Sequence, residues 1–435
     1  MDRVHELRLR AGIGTGSEMS LKQAVRCTLT FLLIACAIWL GRSWQFYIEA
    51  LASIFFACSL ASVIVIHFRI VPSWPDALLV LCGTLFFAAI DFQVLHYRAL
   101  FAAWLSFAGL SSLVVLGVRT IWADGANRKL ASLAFFPALL LIVSEYFATT
   151  FLEWTAAAHP KVLDLYLYSF DASLGLQIPF LVGQRFALWP WLGRLSFLFY
   201  IGLPIPIALV YAGRVLRLGD KAVPSFVAFL ATGPVGVLFY NLFPALGPAH
   251  LLLQGFPWHP LATRSVSRLL VEPVALPGAP NAIPSLHMAW VLLAWWYSRG
   301  LSLMERSVAM AFVLFTVLAT LGTGEHYFVD LVVAFPFALL MEALCSASLS
   351  WKDRLRLAGT TAGLLGTLAW LAALRYGTHF FWRSPLLPWV VCACTIAFSL
   401  VVEAWLFREA ERTQKGDSLQ LGALLSNPVP AVDSN

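Results

Sequence analysis

Residues 223–243 read VPSFVAFLATGPVGVLFYNLF, a stretch of 21 residues without a charged side chain. A helix of about 20 residues crosses a hydrocarbon layer of roughly 30 Å, so this stretch predicts a membrane-spanning helix. Similar apolar runs recur along the chain, and we predict twelve spans in all. The others lie at 27–41, 45–68, 77–95, 99–118, 131–151, 194–213, 284–298, 307–322, 327–346, 357–375 and 385–407. The predicted fold is an all-α, polytopic bundle of membrane helices.

The composition of the chain supports the same class. Of its 435 residues, 60% are hydrophobic and only 12% are charged, which excludes a soluble globular domain of this length. With a cytoplasmic N-terminus, 20 of the 29 Lys and Arg residues fall in cytoplasmic segments, as the positive-inside rule requires. The net charge of +6 therefore reflects topology, and we expect no nucleic-acid partner. Both termini are predicted to be cytoplasmic.

Two segments between the predicted spans are long, at 152–193 and 244–283, and both lie on the non-cytoplasmic side in this topology. Loops of this length are usually functional or disordered, so function is expected to concentrate there. The segment 164–171, DLYLYSFD, predicts an amphipathic helix that lies on the membrane surface. The polar tail from residue 413 predicts disorder.

A first motif, PSLH at 284–287, opens the eighth predicted span. Pro284 suits the first turn of a helix, which would place Ser285 and His287 at a helix N-terminus. Free backbone N–H groups and the helix dipole make such an end an anion site, for which phosphate is a natural ligand. Ser285 adds a hydroxyl, and His287 can give a proton to a leaving oxygen.

A second motif, GTGEHYFVD at 322–330, joins the ninth and tenth spans. His326 and Asp330 are four residues apart, which predicts neighbours on one helix face, with the carboxylate orienting the imidazole as a nucleophile. The two histidines are 39 residues apart, about two membrane crossings, so both return to the same side. Together the motifs predict a phosphoryl-transfer site that uses no metal or other cofactor. The alternative is a hydrogen-bonded polar pair near the interface.

The residues of these two motifs, PSLH and HYFVD, resemble the motifs of the type 2 phosphatidic acid phosphatase superfamily. Within it they are most similar to the inositol phosphorylceramide synthase (aureobasidin-resistance) branch and its bacterial relatives. The resemblance implies a six-span catalytic core at 131–346. It would follow a four-span region at 1–130 and precede two spans at 347–412 and the tail at 413–435. It also implies that His326 becomes phosphorylated, Asp330 orients it and His287 protonates the departing group.

This chain departs from the phosphatases at one point that bears on the substrate. The phosphatases have an Arg six residues before the nucleophilic His, where this chain has Thr320. Loss of a bidentate guanidinium weakens the binding of a dianionic monoester most. Replacement phosphate-binding groups are predicted at His250, Arg264 and Arg268, although a surface or lipid-facing position is an alternative for each.

The predicted function is therefore transfer of a phosphate-bearing head group from a membrane phospholipid to a lipid alcohol, through a phosphohistidine, at the periplasmic or luminal face of a membrane, most simply the bacterial inner membrane. A lipid phosphatase of the same superfamily is the alternative. A zinc-dependent hydrolase would need ligands from His250, His259, His287, His326 and Asp330, none of them at H-x-x-x-H spacing. A lipid transporter would call for related halves and broken helices, for which Gly233-Pro234 and Pro336 are faint signs. The donor and acceptor lipids remain open.

Overall fold

The computed structural model describes residues 21–43, 52–90, 100–267 and 271–426. These residues form helices and connecting loops, and the β-pairing among them is one isolated bridge, Val162–Val274. The helices are α1 (Leu21–Ser43), α2 (Ala52–Ile70), α3 (Trp74–Ile90), α4 (Leu100–Trp122), α5 (Gly125–Ala158), α6 (Asp164–Ser173), α7 (Ile178–Leu188), α8 (Pro190–Ile201), α9 (Pro204–Leu218), α10 (Val223–Leu242), α11 (Pro248–Leu252), α12 (Thr263–Val266), α13 (Leu286–Tyr297), α14 (Leu303–Gly322), α15 (Phe328–Cys345), α16 (Arg354–Tyr376), α17 (Thr378–Phe381) and α18 (Leu387–Ser426).

The all-helical prediction is confirmed, and the long apolar helices support an integral membrane protein. Seven helical stretches of the described residues are long and apolar enough to cross a membrane, or eight if α6 and α7, bent by 87°, count as one. The predicted number of twelve is not reached by length and composition alone. The predicted span at 194–213 is divided between α8 and α9, and the one at 284–298 is a helix of 12 residues.

One apolar stretch, Pro204–Leu242, contains a reversal of the chain at the 3-10 turn Gly219–Ala222. Contacts along α13 show the change of direction. Tyr200, just before α9, stacks on His287 near the start of α13, and Arg214 reaches the Tyr297 carbonyl at its end. On α10, the Phe229 carbonyl accepts a hydrogen bond from the indole of Trp290, which lies earlier in α13 than Tyr297. Helix α9 therefore runs alongside α13 in the same direction, and α10 returns.

The centre of the bundle is α15, whose residues from Val329 to Ala343 are almost all buried. It packs against α6, α10, α13, α16 and α18. Gly363 on α16 allows the closest approach, because a Cβ there would lie 2.5 Å from the Leu340 backbone nitrogen. The first turn of this central helix carries Asp330, so the candidate site is built on the most enclosed element of the described structure.

The four N-terminal helices pack against the core through α2, which contacts α5 and α9, and through α4, which contacts α5. Arg69 at the end of α2 also forms a 2.7 Å ion pair with Glu305 in the first turn of α14. The side chain of Glu305 is buried, and it belongs to a capping box with Ser302. An extra region that precedes the predicted core is thus joined to it by both apolar packing and charge.

Two local predictions differ from the structure. The segment 164–171 does form a helix, α6, but the helix does not present one face to a membrane surface, since Asp164 and all residues from Leu167 to Ser173 are buried. The tail predicted to be disordered from 413 continues as helix α18 to Ser426. Leucines at 419, 421, 424 and 425 give this part of the tail a helix-forming composition. Residues 427–435 lie outside the described part.

Candidate active site

His326 lies in the short loop between α14 and α15, two residues before α15 begins. Its imidazole is 2% exposed, and its Nδ1 lies 2.9 Å from the carbonyl oxygen of Ala282. A carbonyl only accepts, so Nδ1 is the protonated nitrogen and Nε2 keeps its lone pair. The backbone N–H of His326 donates to the Thr320 carbonyl at 3.2 Å. Ring and backbone are therefore both fixed, with an unprotonated nitrogen available as a nucleophile.

Asp330 is close to His326, although for a different reason from the predicted shared helix face. His326 precedes the helix, whereas Asp330 is in its first turn and forms a capping box with Tyr327, whose N–H donates to Oδ2 at 2.7 Å. The same oxygen lies 3.5 Å from His326 Nδ1. The carboxylate is fully buried. It therefore stabilises positive charge on the imidazole mainly by proximity, while the Ala282 carbonyl orients the ring.

Ser285 joins the two motifs. Its Oγ lies 3.3 Å from His326 Nε2 and accepts a 3.4 Å hydrogen bond from the Met288 N–H as the N-cap of α13. Pro284 consequently precedes the cap instead of occupying the first helical turn, because the serine side chain takes the capping position. The Ser285 backbone N–H donates to the Asp330 carbonyl at 3.2 Å, which holds the starts of α13 and α15 together.

His287 lies in the first turn of α13, partly buried and close enough to His326 for the two rings to interact electrostatically. Its ring stacks on Tyr200 with centroids 3.9 Å apart and an interplanar angle of 17°. Trp290 contacts it edge-on at 5.9 Å. Tyr200 and Trp290 therefore fix the orientation of the His287 ring.

Two buried aspartates of α6, which the sequence analysis did not place in the site, hold its loops. Asp171 accepts hydrogen bonds from the Phe328 N–H at 2.7 Å and the Val329 N–H at 3.2 Å, so it caps α15 from outside. Asp164 accepts from the Gly247 N–H at 2.8 Å and the Tyr327 hydroxyl at 3.1 Å. Their spacing of seven residues, two helical turns, in an apolar segment was the available signal.

Thr320 contacts the site only through its backbone carbonyl. Its side chain is fully buried, and the hydroxyl donates to the Thr316 carbonyl at 2.8 Å on its own helix. Its carbonyl accepts from His326 as described above. A threonine at this position thus supports the nucleophile's backbone without presenting a polar group to a substrate. An arginine would have to displace the packing around it.

The predicted phosphate-binding cations are only partly placed by the structure. His250 is half-exposed in α11, and its Nε2 lies 3.8 Å from Glu325 Oε2. Glu325 directly precedes His326 in the sequence. The adjacent Ala249 N–H donates to the Gly324 carbonyl at 3.0 Å, which fixes α11 against the His326 loop. Arg264 belongs to α12, and its side chain is not described. Arg268 lies outside the described residues.

Among the described residues, no three His, Cys, Asp or Glu side chains are placed to hold one metal ion. Ligand geometry therefore offers no support for a zinc hydrolase that uses His250, His259, His287, His326 and Asp330. The site formed by Ser285, His287, His326 and Asp330 is instead a buried nucleophile with a hydroxyl and a second imidazole beside it. Such an arrangement is suited to nucleophilic catalysis.

Comparison with known proteins agrees with this class. Residues 165–344 match the model of a family described as the PAP2 superfamily, the type 2 phosphatidic acid phosphatases. The match includes both histidine motifs, and it supports a lipid phosphatase or phosphotransferase kind of enzyme. It does not confirm the inositol phosphorylceramide synthase branch. No curated protein and no solved structure gives a significant match.

The His250–Glu325 pair predicts a pH dependence of substrate binding. The Glu325 carboxylate raises the pKa of His250 above its usual value, and His250 in turn lowers the pKa of Glu325. If protonated His250 binds the substrate phosphate, the KM for the donor rises once the pH exceeds that raised pKa. In Glu325→Gln the rise should begin at lower pH, because the carboxylate that stabilises the imidazolium is gone.

The measurement is the KM of the donor lipid between pH 5 and 9 in wild type, Glu325→Gln and a control, Glu272→Gln. Glu272 is an exposed glutamate in the long segment 244–283, which also contains His250. Coinciding pH profiles for all three proteins would show that His250 does not bind the donor.

Proposed function

We propose that the protein is a membrane lipid phosphotransferase that moves a phosphate-bearing head group from a phospholipid to a lipid alcohol through a phosphohistidine at His326. One observation carries the proposal: His326 Nε2, unprotonated because Nδ1 is hydrogen-bonded to a carbonyl, lies 3.3 Å from the Ser285 hydroxyl at the start of α13. A phosphate bound at that helix N-terminus meets the nucleophile directly.

In the first half-reaction the Nε2 lone pair of His326 attacks the phosphorus of the donor. The bond from phosphorus to the glycerol oxygen of the lipid breaks, and protonated His287 gives its proton to that oxygen. The products are a lipid alcohol and a head-group phosphate on His326. The buried Asp330 carboxylate, 3.5 Å from Nδ1, stabilises the positive ring, and the Ser285 hydroxyl can donate to a phosphoryl oxygen.

The second half-reaction reverses these roles. The hydroxyl of the acceptor gives its proton to His287, which is now neutral, and its oxygen attacks phosphorus. The bond between phosphorus and Nε2 breaks, and its electron pair returns to His326. Both histidines regain their starting protonation states, so no external acid or base is consumed.

Two features of the site favour transfer from a phosphodiester to an alcohol over hydrolysis of a phosphate monoester. Ser285, His326 and Asp330 are at most 2% exposed, which limits access of water to the phosphohistidine. Among the described residues, no Lys or Arg side chain forms an ion pair or a hydrogen bond with these three or with His287. A dianionic monoester therefore lacks a bidentate partner, whereas a singly charged phosphodiester needs one less.

The resemblance of the PSLH and HYFVD motifs to the inositol phosphorylceramide synthase branch suggests phosphatidylinositol as one donor and ceramide or diacylglycerol as acceptors to test. Purified protein in detergent would receive equal amounts of labelled phosphatidylinositol, phosphatidylglycerol and phosphatidate with each acceptor. We expect a phosphodiester lipid to be consumed roughly ten to a hundred times faster than phosphatidate, with its head group appearing on the acceptor.

A reaction with the same lipids but no acceptor serves as the control, since a transferase should then release little free phosphate or head-group phosphate. If phosphatidate is the fastest substrate and phosphate accumulates at the same pace with or without acceptor, the protein is a lipid phosphatase and the transferase proposal fails.

A further inference from the structure

A second polar site lies at the other end of the bundle. A partly open cavity of about 230 Å³ lies between the C-terminal ends of α9, α13 and α15 and the outer part of α18. Helices α13 and α15 begin at the histidine site and end at this cavity, and the 12 residues of α13 alone extend roughly 18 Å. The cavity is therefore separate from the catalytic groups, and the positive-inside prediction places it on the cytoplasmic face.

Four basic side chains line the cavity: Arg214, Arg217, Lys221 and Arg299. Two of them have acidic partners. Arg299 forms a bidentate ion pair with the fully buried Glu403, both of its N···O distances being 2.7 Å. Arg217, at the exposed mouth, lies 3.3 Å from Glu411. These two charges are compensated within the protein, which leaves the other two to be explained.

Arg214 and Lys221 form no ion pair with any described residue. The guanidinium of Arg214 lies over the Tyr297 ring at 4.9 Å, and its Nε is buried without a hydrogen-bond partner in the described structure. Its one hydrogen bond among the described residues, from Nη1 to the Tyr297 carbonyl, is 3.4 Å long. A buried donor that makes no hydrogen bond destabilises the folded state, so its retention needs a cause.

A complementary acceptor lies in the same cavity. Glu342 on α15 is 5% exposed, and its Oε2 has no hydrogen-bond donor among the described residues. Its charge interacts with that of Arg214, yet the two side chains form no ion pair. Among the described residues, the cavity is thus lined by a cation without an ion-pair partner, Arg214, and by an acceptor oxygen without a donor, Glu342 Oε2.

We propose that this cavity binds a phosphate group that also carries a hydrogen-bond donor. The phosphate contacts Arg214 and Lys221, and a hydroxyl of the ligand donates to Glu342. The volume corresponds to about eight waters at roughly 30 Å³ each, which accommodates a polyhydroxyl head group but is too small for acyl chains. Basic pockets between membrane helices bind anionic head groups in this way. The ligand is either such a lipid head group or free dihydrogen phosphate.

The experiment compares thermal unfolding of the purified full-length protein in detergent during titration with three probes: short-chain phosphatidylglycerol, short-chain phosphatidylcholine and inorganic phosphate. A ligand that binds the folded state raises Tm in a saturable way. The variants are Arg214→Gln, Lys221→Gln and, as a control, Arg306→Gln. Arg306 is exposed on the same predicted side and does not line the cavity.

We expect phosphatidylglycerol to raise the Tm of wild type and Arg306→Gln equally, and its half-saturating concentration to increase at least tenfold in the two cavity variants. Half-saturation by inorganic phosphate at a lower concentration than the lipid would identify free phosphate as the ligand. The histidine site is unchanged in all four proteins, so a difference among them reports the cavity and leaves the proposed reaction untouched.

Two results would overturn the proposal. One is equal stabilisation of all four proteins by every probe that has any effect. The other is a response to phosphatidylcholine, which has no hydroxyl donor, as strong as the response to phosphatidylglycerol. Lys221 is exposed and forms no ion pair among the described residues, so Lys221→Gln keeps the test decisive if Arg214→Gln does not fold.

Discussion

Turnover in His326→Ala is expected to fall by at least three orders of magnitude, with expression and membrane insertion unchanged. Removal of a covalent nucleophile eliminates the intermediate and leaves only the catalysis that binding and positioning provide. The protein should also lose the acid-labile label that wild type acquires from a donor phosphorylated with ³²P. Turnover and labelling are measured in purified protein. His287→Ala should lose turnover to a similar extent, because neither half-reaction can then transfer its proton.

The matched control is His379→Ala, which removes an exposed histidine of α17. It should retain wild-type turnover and labelling. Activity of His326→Ala within about tenfold of wild type would rule out a phosphohistidine at this residue, as would an undiminished acid-labile label.

Asp171→Ala is expected to cause the second large loss of stability and turnover, although Asp171 does not contact the substrate in the proposed reaction. The substitution leaves the Phe328 and Val329 N–H groups at the buried start of α15 without an acceptor. Two such unsatisfied donors cost about 2 to 6 kcal/mol of unfolding free energy. Turnover should fall as well, because the displaced first turn carries Asp330. Chemical denaturation and turnover of the purified variant measure the two effects.

A helix cap of the same kind but away from the histidines provides the comparison. Asp353 caps α16 by accepting from the Leu355 and Arg356 N–H groups at 2.8 and 3.1 Å. It is partly exposed, so Asp353→Ala should cost about 1 kcal/mol and leave turnover unchanged. Equal losses of stability in the two variants, with turnover intact in both, would show that Asp171 does not position the site.

The sequence was sufficient to bring the reacting groups together. Ser285, His326 and Asp330 were assigned to one site from motif spacing and the length of two membrane crossings. In the structure the His326 ring lies 3.3 Å from Ser285 Oγ on one side and 3.5 Å from Asp330 Oδ2 on the other. The predicted cause of the His326–Asp330 contact was wrong, because helical periodicity applies only inside a helix and His326 lies before it. A capping box produces the same proximity.

Features that depend on packing between distant segments were not predictable in this way. An apolar run does not show where a helix breaks, so the division of the predicted span 194–213 between α8 and α9 was missed. Likewise, Asp164 and Asp171 looked like the polar face of a surface helix. Their partners are backbone N–H groups about 80 and 157 residues further along the chain. Nearly every residue has a backbone N–H, so the sequence does not show which one a buried carboxylate will bind.

The long segment that follows α10 is closed at its base. The N–H groups of Asn281 and Ala282 both donate to the Ala245 carbonyl, at 2.9 and 3.0 Å, and Asp164 fixes residues 246–247 from below. Among the described residues between these anchors, Ala249 donates to the Gly324 carbonyl in the His326 loop, and none hydrogen-bonds the His326 ring, which depends on Ala282 at the base. If the proposed reaction is correct, mutation, insertion or deletion in the part of this segment beyond α11 is expected to change substrate selection while the His326 Nε2 stays in place.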